Sequence, residues 1–253
     1  MEQRSLKYFR LRTSALFVAG LMIVVSSASA GGSWSGFSVA IPAGKTAELV
    51  AATDKLMSSE VTKQFPGRLL LQMAIADGAN PSTHTFVPIY KSATSGEAWG
   101  EQLRASPAYK EFLATLAKLG QGTVSARYRV VKSWGEISDG DKVWLGHAFD
   151  VKDSGAFVAS IDKFRASATG KEQPNQVHLS QVVAAGMSSM SHLITVGYAS
   201  EAEMETAQLS LAGNSEWQAL LNALNESAEH LGSSMSRTVK AWGTASMQSV
   251  LAP

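Results

Sequence analysis

The sequence of 253 residues contains an internal repeat with a spacing of 108 residues. When residues 39–135 are placed on residues 147–243 without a gap, roughly two dozen of about 97 positions are identical. The matched pairs include His84 with His192, Tyr90 with Tyr198, Arg129 with Arg237, and the Trp-Gly pairs at 134–135 and 242–243. A repeat of this length predicts two copies of one structural unit within a single chain.

The first thirty residues are typical of a secretory signal peptide. Four basic residues lie among the first twelve, an apolar run covers residues 15–25, and small residues lead up to Ala30. Because this run is shorter than the roughly 20 residues that cross a bilayer, cleavage is favoured over an uncut membrane anchor. We therefore expect residues 1–30 to be a cleavable signal peptide, with no stable membrane anchor after cleavage. The mature protein is then periplasmic or secreted.

The composition narrows the class of protein further. There is no cysteine, which removes disulfides, thiolate metal sites and a thiol nucleophile. The net charge is +1 and no cluster of Lys and Arg occurs, so nucleic acid is not an expected partner. The roughly 220 residues of the mature chain are enough to build a stable core without cross-links.

Each copy of the repeat begins with the same order of predicted elements. In the first copy, a short β-prone segment at 37–41 precedes a helix at 46–63, whose apolar residues recur at intervals of three and four. Two β-prone segments follow at 68–76 and 83–90, with turn residues between them, which predicts a hairpin. The second copy repeats this pattern 108 residues later.

A second helical region and a final β-prone segment complete each copy. The helical region is interrupted at Ser106 in the first copy and at Asn214 in the second, residues that favour helix caps, so it is open to division into two helices. The last segment, 123–134 or 231–242, closes on the Trp-Gly pair. Each copy therefore has the order β-α-β-β-α-β of a ferredoxin-like unit.

The fold prediction follows from burial. A four-stranded antiparallel sheet of this kind, with strand order 4-1-3-2, has helices on one face and leaves the other face bare. We predict an α+β fold of two tandem ferredoxin-like units, residues 31–138 and residues 139–253, the second with a short C-terminal tail. Their bare antiparallel sheets should pack face to face around an internal cavity, as a pseudo-dimeric α/β barrel.

The element order resembles that of dimeric α/β-barrel proteins, in particular the antibiotic-biosynthesis-monooxygenase-like and NIPSNAP-like branches. The sequences at the predicted helix starts, 106–112 and 214–218, are also similar to those of this superfamily. The resemblance covers nearly all of residues 37–243. It implies a tandem duplication in one chain that encloses a barrel with a central cavity. Some members of that superfamily oxidise small aromatic or haem-like substrates. No catalytic motif of the family is visible here, so catalytic residues and cofactor are unknown, and whether the chain is an enzyme stays open.

Repeated polar residues are the candidates for the cavity. The two histidines begin the same strand of each copy, and a neutral imidazole could exchange protons near pH 7. The repeated arginines of the last strand could bind a carboxylate. The predicted ligand-binding residues are His84, Tyr90, Arg129, His192, Tyr198 and Arg237. A histidine bonded to backbone at a strand edge and an arginine paired on the surface are the more common alternatives.

A metal site was weighed against scattered histidines. His147, His178 and His192 fall on three adjacent strands of the second predicted sheet, and three imidazoles on one face would suit zinc, copper or iron. A shift of one residue moves a side chain to the opposite face, so convergence does not follow from the sequence. We therefore predict no metal.

Three functions are consistent with these patterns. The first is an exported protein that binds a small molecule in a cavity between the two sheets, without established catalysis. The second is a monooxygenase-like or haem-linked enzyme that uses the barrel cavity. The third is a structural or interaction protein of the cell envelope, as a monomer or homodimer. The sequence contains no nucleophile elbow, Walker loop, dinucleotide fingerprint or H-E-x-x-H motif.

Overall fold

The computed structural model describes residues 31–78, 80–186 and 188–251, and the predicted signal peptide lies outside them. The strands are β1 (Ser33–Ala40), β2 (Gly67–Ala76), β3 (His84–Tyr90), β4 (Gln121–Trp134), β5 (Val143–Val151), β6 (Val177–Ala184), β7 (His192–Tyr198) and β8 (Ala228–Trp242). The helices are α1 (Thr46–Met57), α2 (Ala93–Ala105), α3 (Pro107–Leu119), α4 (Ser154–Ala166), α5 (Ala168–Lys171), α6 (Glu201–Leu211), α7 (Ser215–Ser227) and α8 (Met247–Leu251). No helix in this part of the chain is both long and apolar enough to cross a membrane.

The eight strands form one closed antiparallel barrel in the order β1-β3-β2-β8-β5-β7-β6-β4, and β4 pairs back onto β1. The α+β class and the barrel are thereby confirmed. Within residues 33–134 the strand order is β4-β1-β3-β2, and within residues 143–242 it is β8-β5-β7-β6. Both match the predicted order 4-1-3-2.

Two ladders at the sheet edges close the barrel. Leu70 of β2 pairs with Ala241 of β8, and Val130 of β4 pairs with Ser180 of β6. The prediction of face-to-face packing did not include these ladders. Because every strand has two hydrogen-bonded neighbours, no edge of the sheet is left unpaired.

The last strand of each half reaches the first long helix of the other half. The indole Nε1 of Trp242 donates to Asp54 Oδ1 of α1 at 2.8 Å, and Lys240 Nζ bonds the same oxygen at 2.6 Å. In the same way, Trp134 Nε1 donates to Asp162 Oδ1 of α4 at 2.8 Å. The repeated Asp, Lys and Trp residues are therefore explained by reciprocal contacts between the two halves.

The glycine after each of these tryptophans has a conformational reason. Gly135 and Gly243 have φ angles of +78° and +94°, a region that disfavours residues with a Cβ. A Cβ at Gly135 would also overlap the carbonyl oxygen of Asn175, and one at Gly243 would overlap that of Gly67. The Trp-Gly pairs thus mark where each long strand turns against the backbone of the other half.

The helical boundaries agree with the sequence patterns except in the first helix of each copy. In the second copy the helix predicted at 154–171 is divided into α4 and the short α5. The helix predicted at 46–63 ends at Met57 and is followed by a 3₁₀ turn at Glu60–Thr62. The second helical region is divided where predicted, because Ser106 Oγ accepts from the backbone N–H of Tyr109 at 3.2 Å. Asn214 Oδ1 accepts from the N–H of Trp217 at 3.1 Å and starts α7 in the same manner.

Candidate functional site

Two cavities bounded by described residues lie on opposite sides of the sheet, one inside the barrel and one outside it. The first, the barrel chamber, has a volume of about 340 Å³ and is lined by side chains from all eight strands. An eight-stranded barrel is just wide enough to be filled by its side chains or to hold one small ligand. Here Gly36, Ala126, Gly146 and Ala148 point inward and leave space, because none of them has a long side chain.

One end of the barrel chamber is closed by aromatic residues and by α8. Trp34 stacks on Tyr128 with ring centroids 3.9 Å apart, and its Nε1 donates to Ser180 Oγ at 3.0 Å. Trp144 donates from Nε1 to Thr238 Oγ1 at 3.0 Å. Both indole N–H groups are therefore satisfied within the protein. Met247, Val250 and Leu251 of α8 are buried against this end.

The barrel chamber has one histidine in its lining. His178 is 3% exposed; Ser133 Oγ lies 2.8 Å from its Nδ1, and Gln176 Oε1 lies 2.9 Å from its Nε2. Burial lowers the pKa of His178 to about 4, so the ring is neutral at neutral pH. Because both ring nitrogens already have partners, this histidine serves the fold of the chamber wall.

The second cavity, the helix-side cleft, lies between the outer face of the first half of the sheet and helices α1, α2 and α3. Its volume is about 880 Å³, within the usual range for small-molecule sites. Seven aromatic residues line it: Phe37, Phe65, Phe86, Tyr90, Trp99, Tyr109 and Phe112. The rings of Tyr90 and Trp99 have centroids 6.2 Å apart, and those of Phe86 and Phe112 are 5.8 Å apart. The cleft therefore offers several aromatic surfaces to a bound molecule.

Two glycines on one face of α2 help to create this space. Gly96 and Gly100 are four residues apart and both line the helix-side cleft. A Cβ at Gly96 would lie 2.8 Å from the ring of Tyr90, so glycine is required for the close approach of helix and strand. A Cβ at Gly100 would meet only the Arg104 guanidinium, at 3.2 Å, and would otherwise extend into open space.

The mouth of the helix-side cleft is open to solvent and apolar. Phe37, Leu113 and Val124 are 49%, 44% and 53% exposed and all line the cleft. Large apolar side chains exposed together at one opening are typical of a binding surface. Arg104, Arg127 and Glu97 are the charged residues of its lining.

Tyr90 is the predicted site residue that lines the helix-side cleft. Burial raises the pKa of its hydroxyl to about 12, against a smaller lowering effect of the Arg127 charge. The group is therefore a neutral phenol at neutral pH and can donate a hydrogen bond. The corresponding Tyr198 is also buried, and burial raises its pKa to about 12 as well.

The two repeated histidines lie on the helix side of the sheet and outside the lining of both cavities. Thr46 Oγ1 is 3.1 Å from His84 Nε2, and Thr83 Oγ1 is 2.9 Å from its Nδ1. Ser191 Oγ is 3.0 Å from His192 Nδ1. Burial lowers the pKa of both histidines. The partners of both rings are therefore side-chain hydroxyl groups, whereas the structural alternative had expected a backbone group.

The two repeated arginines lie on the surface and have partners on the protein. Arg129 Nη2 donates to Gln181 Oε1 of β6 at 2.6 Å, and Arg237 is paired with Glu201 of α6. Of the six predicted ligand-binding residues, all of them in the described part of the chain, Tyr90 alone lines the barrel chamber or the helix-side cleft. The structure therefore does not bring the six together.

The three histidines considered for a metal do not share a face of the sheet. His178 lines the barrel chamber, whereas His147 and His192 alternate with its inward-facing residues on β5 and β7. Among the described residues no group of three or more His, Asp or Glu side chains is arranged to hold a metal ion. The idea of three converging imidazoles is therefore wrong.

The corresponding region of the second half contains a cluster of large buried apolar side chains. Phe157, Ile161 and Phe164 of α4 are buried against the sheet, together with Leu220 and Leu224 of α7. The helix-side cleft of the first half was not predicted from the sequence. The available signal was the pair Gly96 and Gly100 in a predicted helix, where glycine is unfavourable and suggests a need for space.

Comparisons with solved structures show where this fold occurs. A protein from Fusobacterium nucleatum subsp. nucleatum ATCC 25586, provisionally named a monooxygenase, is 15% identical with a TM-score of 0.58, over 86% of this chain and 97% of that one. An anthrone oxidase-like protein is 9% identical with a TM-score of 0.56, over 86% and 95% of the two chains. A mutant chlorite dismutase from Candidatus Nitrospira defluvii, in complex with cyanide, is 8% identical with a TM-score of 0.51, over 84% and 92%.

At these identities the likeness shows the fold alone. It agrees with the ferredoxin-like α/β barrel that the element order resembles. No family model matches the sequence, and no curated protein matches it.

Proposed function

We propose that this protein is monooxygenase-like and that it binds a flat aromatic substrate in the helix-side cleft and oxidises it with molecular oxygen. The observation that carries the proposal is the cleft itself, an open cavity of about 880 Å³ lined by seven aromatic residues. The names of the proteins with a similar fold, a monooxygenase and an anthrone oxidase-like protein, support the type of reaction. This is the second of the three functions considered from the sequence, moved from the barrel cavity to the cleft.

The chemistry of the lining favours a planar apolar substrate. Stacked and edge-on contacts with Tyr90, Trp99 and Phe112 would each stabilise an aromatic ring beyond its simple burial. The neutral Tyr90 hydroxyl can donate a hydrogen bond to a carbonyl or phenolate oxygen of the substrate. Tyr90 is thus the one predicted site residue retained as a ligand contact.

A haem-linked version of this function finds less support among the residues present. The described residues that line the helix-side cleft include no histidine to serve as an axial ligand. The histidine of the barrel chamber, His178, has both ring nitrogens bound to Ser133 and Gln176. The residues therefore do not fit a histidine-ligated haem, and no step of the proposed reaction depends on one.

The origin and location of the protein belong to the same proposal. The 108-residue repeat, together with the same strand order in each half, supports a tandem duplication of one ferredoxin-like unit, as the resemblance to the NIPSNAP-like and monooxygenase-like branches implies. A basic start, an apolar run and small residues up to Ala30 support export to the periplasm or outside the cell. Because one chain closes the barrel, no second subunit is needed to complete it.

Anthrone oxidation provides a direct test. In this reaction the methylene carbon of anthrone loses two hydrogens and becomes a carbonyl, one oxygen atom of O₂ enters the product anthraquinone, and the other leaves as water. Oxygen uptake and anthraquinone absorbance are measured together for the wild-type protein and for Gly100→Met, in which a longer side chain occupies the cleft. We expect turnover by the wild type above the buffer rate and none above it by the variant.

The result also separates the proposal from simple binding. Equal rates for wild type, variant and buffer, for anthrone and for other hydroxylated polycyclic aromatics, would refute the oxidative function. If such a compound binds the wild type, raises its melting temperature and is not turned over, the protein is a binding protein instead. That second candidate is supported by the same cleft.

A further inference from the structure

The lining of the helix-side cleft has more positive than negative side chains. Two arginines, Arg104 on α2 and Arg127 on β4, line it, and Glu97 is its one acidic residue in the described part of the chain. No described residue forms an ion pair or a side-chain hydrogen bond with either arginine. A guanidinium held at an apolar opening without a carboxylate partner is suited to an anion from solution.

Arg127 is the better placed of the two. It lies on β4 between its neighbours Ser35 of β1 and Ala184 of β6, so its backbone is fixed by ladders on both sides. Its charge is close enough to the Tyr90 hydroxyl to affect the pKa of that group, and so is the hydroxyl of Tyr109. A cation and two phenol groups therefore lie near one another at the end of an aromatic cavity.

The neighbouring arginine of the same strand shows the contrast. Arg129 points to the same outer side but is held by Gln181 at 2.6 Å and does not line the cleft. Its counterpart in the repeat, Arg237, is also paired, with Glu201. At the position that corresponds to Arg127 the second half has Met235. The unpaired cation thus occurs in the half that has the cleft.

We infer that the substrate of the helix-side cleft is an aromatic acid, whose aromatic rings enter the cleft while a single anionic group binds Arg127 at the mouth, beside the hydroxyls of Tyr90 and Tyr109. This inference rests on the proposed function of the cleft and specifies its substrate class. Arg104 adds to the positive potential there. Arg127 acts in specificity, since it selects the ionised form of a ligand over a neutral one of the same shape.

A matched pair of fluorescent probes tests the inference without knowledge of the substrate. The probes are 1-anilinonaphthalene-8-sulfonate and N-phenyl-1-naphthylamine, which is the same molecule without the sulfonate. Dissociation constants are measured for the wild type, Arg127→Met and Arg129→Met. We expect Arg127→Met to weaken the sulfonate probe about tenfold, because a charge-assisted contact at a partly exposed site is lost, and to change the neutral probe less than twofold. Arg129→Met should change neither.

Two further measurements show where the probes bind and whether the loss of affinity comes from the charge of Arg127. Gly100→Met should abolish binding of both probes, which places them in the cleft. Raising the sodium chloride concentration should weaken the sulfonate probe in the wild type more than in Arg127→Met, because salt screens an exposed charge.

The outcomes distinguish the inference of an aromatic acid from the proposal that the cleft binds the substrate. If Arg127→Met affects both probes equally, or affects neither, the inference of an aromatic acid is overturned while the cleft stands as a site for neutral aromatics. If neither probe binds the wild type, or Gly100→Met binds both as tightly, the proposed use of the cleft fails and the inference fails with it.

Discussion

The helix sides of the two halves have the same order of elements but differ in how they are packed. In the first half a cleft of about 880 Å³ lies beside a small core in which Leu49 of α1 packs on Leu71 and Phe86 of the sheet. In the second half a larger apolar cluster packs α4 and α7 against the sheet. The difference arises at positions 108 residues apart. On the first long helix, Leu49, Thr53 and Leu56 correspond to Phe157, Ile161 and Phe164.

The next helix shows the same trend. Gly96 and Gly100 of α2 correspond to Met204 and Gln208 of α6. The two halves therefore carry side chains of different volume at matched positions of one backbone framework, although Gln208 is itself exposed.

Truncating one leucine in each half should give the largest difference. Leu224 is buried in the packed core, and Leu224→Ala should lower the free energy of unfolding by about 3 kcal/mol, since it leaves a cavity in a filled region. The matching Leu116 is half-buried and lines the cleft, so Leu116→Ala should lower it by about 1 kcal/mol. Urea unfolding of both variants gives the two values. Equal losses would contradict the assignment of one region as core and the other as cleft.

The buried histidine of the second half should make stability depend on pH. The folded state holds the pKa of His178 near 4, well below the ordinary value of 6.5, so folding is disfavoured once the unfolded chain is protonated. The free energy of unfolding should therefore lose nothing to His178 above pH 6.5. As the pH drops from 6.5 towards 4, it should fall by up to about 3 kcal/mol.

His178→Leu provides the control for this effect, since Leu70 occupies the same position in the first half. The free energy of unfolding is measured between pH 4 and 7.5 for both proteins. The variant should show a smaller slope between pH 6.5 and 4, whatever its stability at pH 7. Identical slopes would mean that His178 is not held neutral in the folded protein.

Filling the cleft should abolish binding and stabilise the protein at the same time. Gly100→Met replaces glycine in the interior of α2, and the gain in helix propensity alone should raise the free energy of unfolding by roughly 0.5–1 kcal/mol. The same side chain should displace an aromatic ligand. Gln208→Met in α6 is the matched control and should leave ligand binding unchanged. A stabilised Gly100→Met protein that still binds the ligand would show that the binding site lies elsewhere.

Removal of either reciprocal contact between the halves should have the smallest effect on the free energy of unfolding, and the two effects should be equal. Asp54 and Asp162 each accept bonds from a lysine and a tryptophan of the opposite half. Asp54→Asn and Asp162→Asn should each lower the free energy of unfolding by less than about 1 kcal/mol, because these pairs are partly exposed. Thermal unfolding of the two variants gives the comparison, and a clearly unequal pair of shifts would show that the two contacts are not equivalent.

Much of the fold followed from the sequence because two copies of one pattern could be compared. The alternation of 83–90 predicted β3, and Ser106 predicted the division between α2 and α3. The two edge ladders were not predicted, since a free strand edge has no signature of its own in the sequence. Their signal lay in the Trp-Gly pairs, whose contacts with the opposite half become visible only in the folded chain.

The candidate site was predicted less well, and the reason is geometric. His84 and His192 were candidates because they begin the same strand of each copy, but both lie on the helix side beside neighbouring hydroxyl groups. Tyr90 was predicted to line the cavity between the sheets, and it lies instead on the opposite face of its strand, in the helix-side cleft. The cleft depends on the combined volumes of residues from several helices and strands, which no local pattern of residues contains.

The way in which the barrel closes has a consequence for the covalent connection at residues 135–142. β4 and β8 each pair with a strand of their own half and with one of the other half, so either half alone would have two unpaired strand edges. The peptide link between them raises the effective concentration of one half near the other but supplies none of the ladder bonds. Two fragments separated at this link would thus be expected to reassemble by complementation, whereas either fragment alone would tend to self-associate through its open edges.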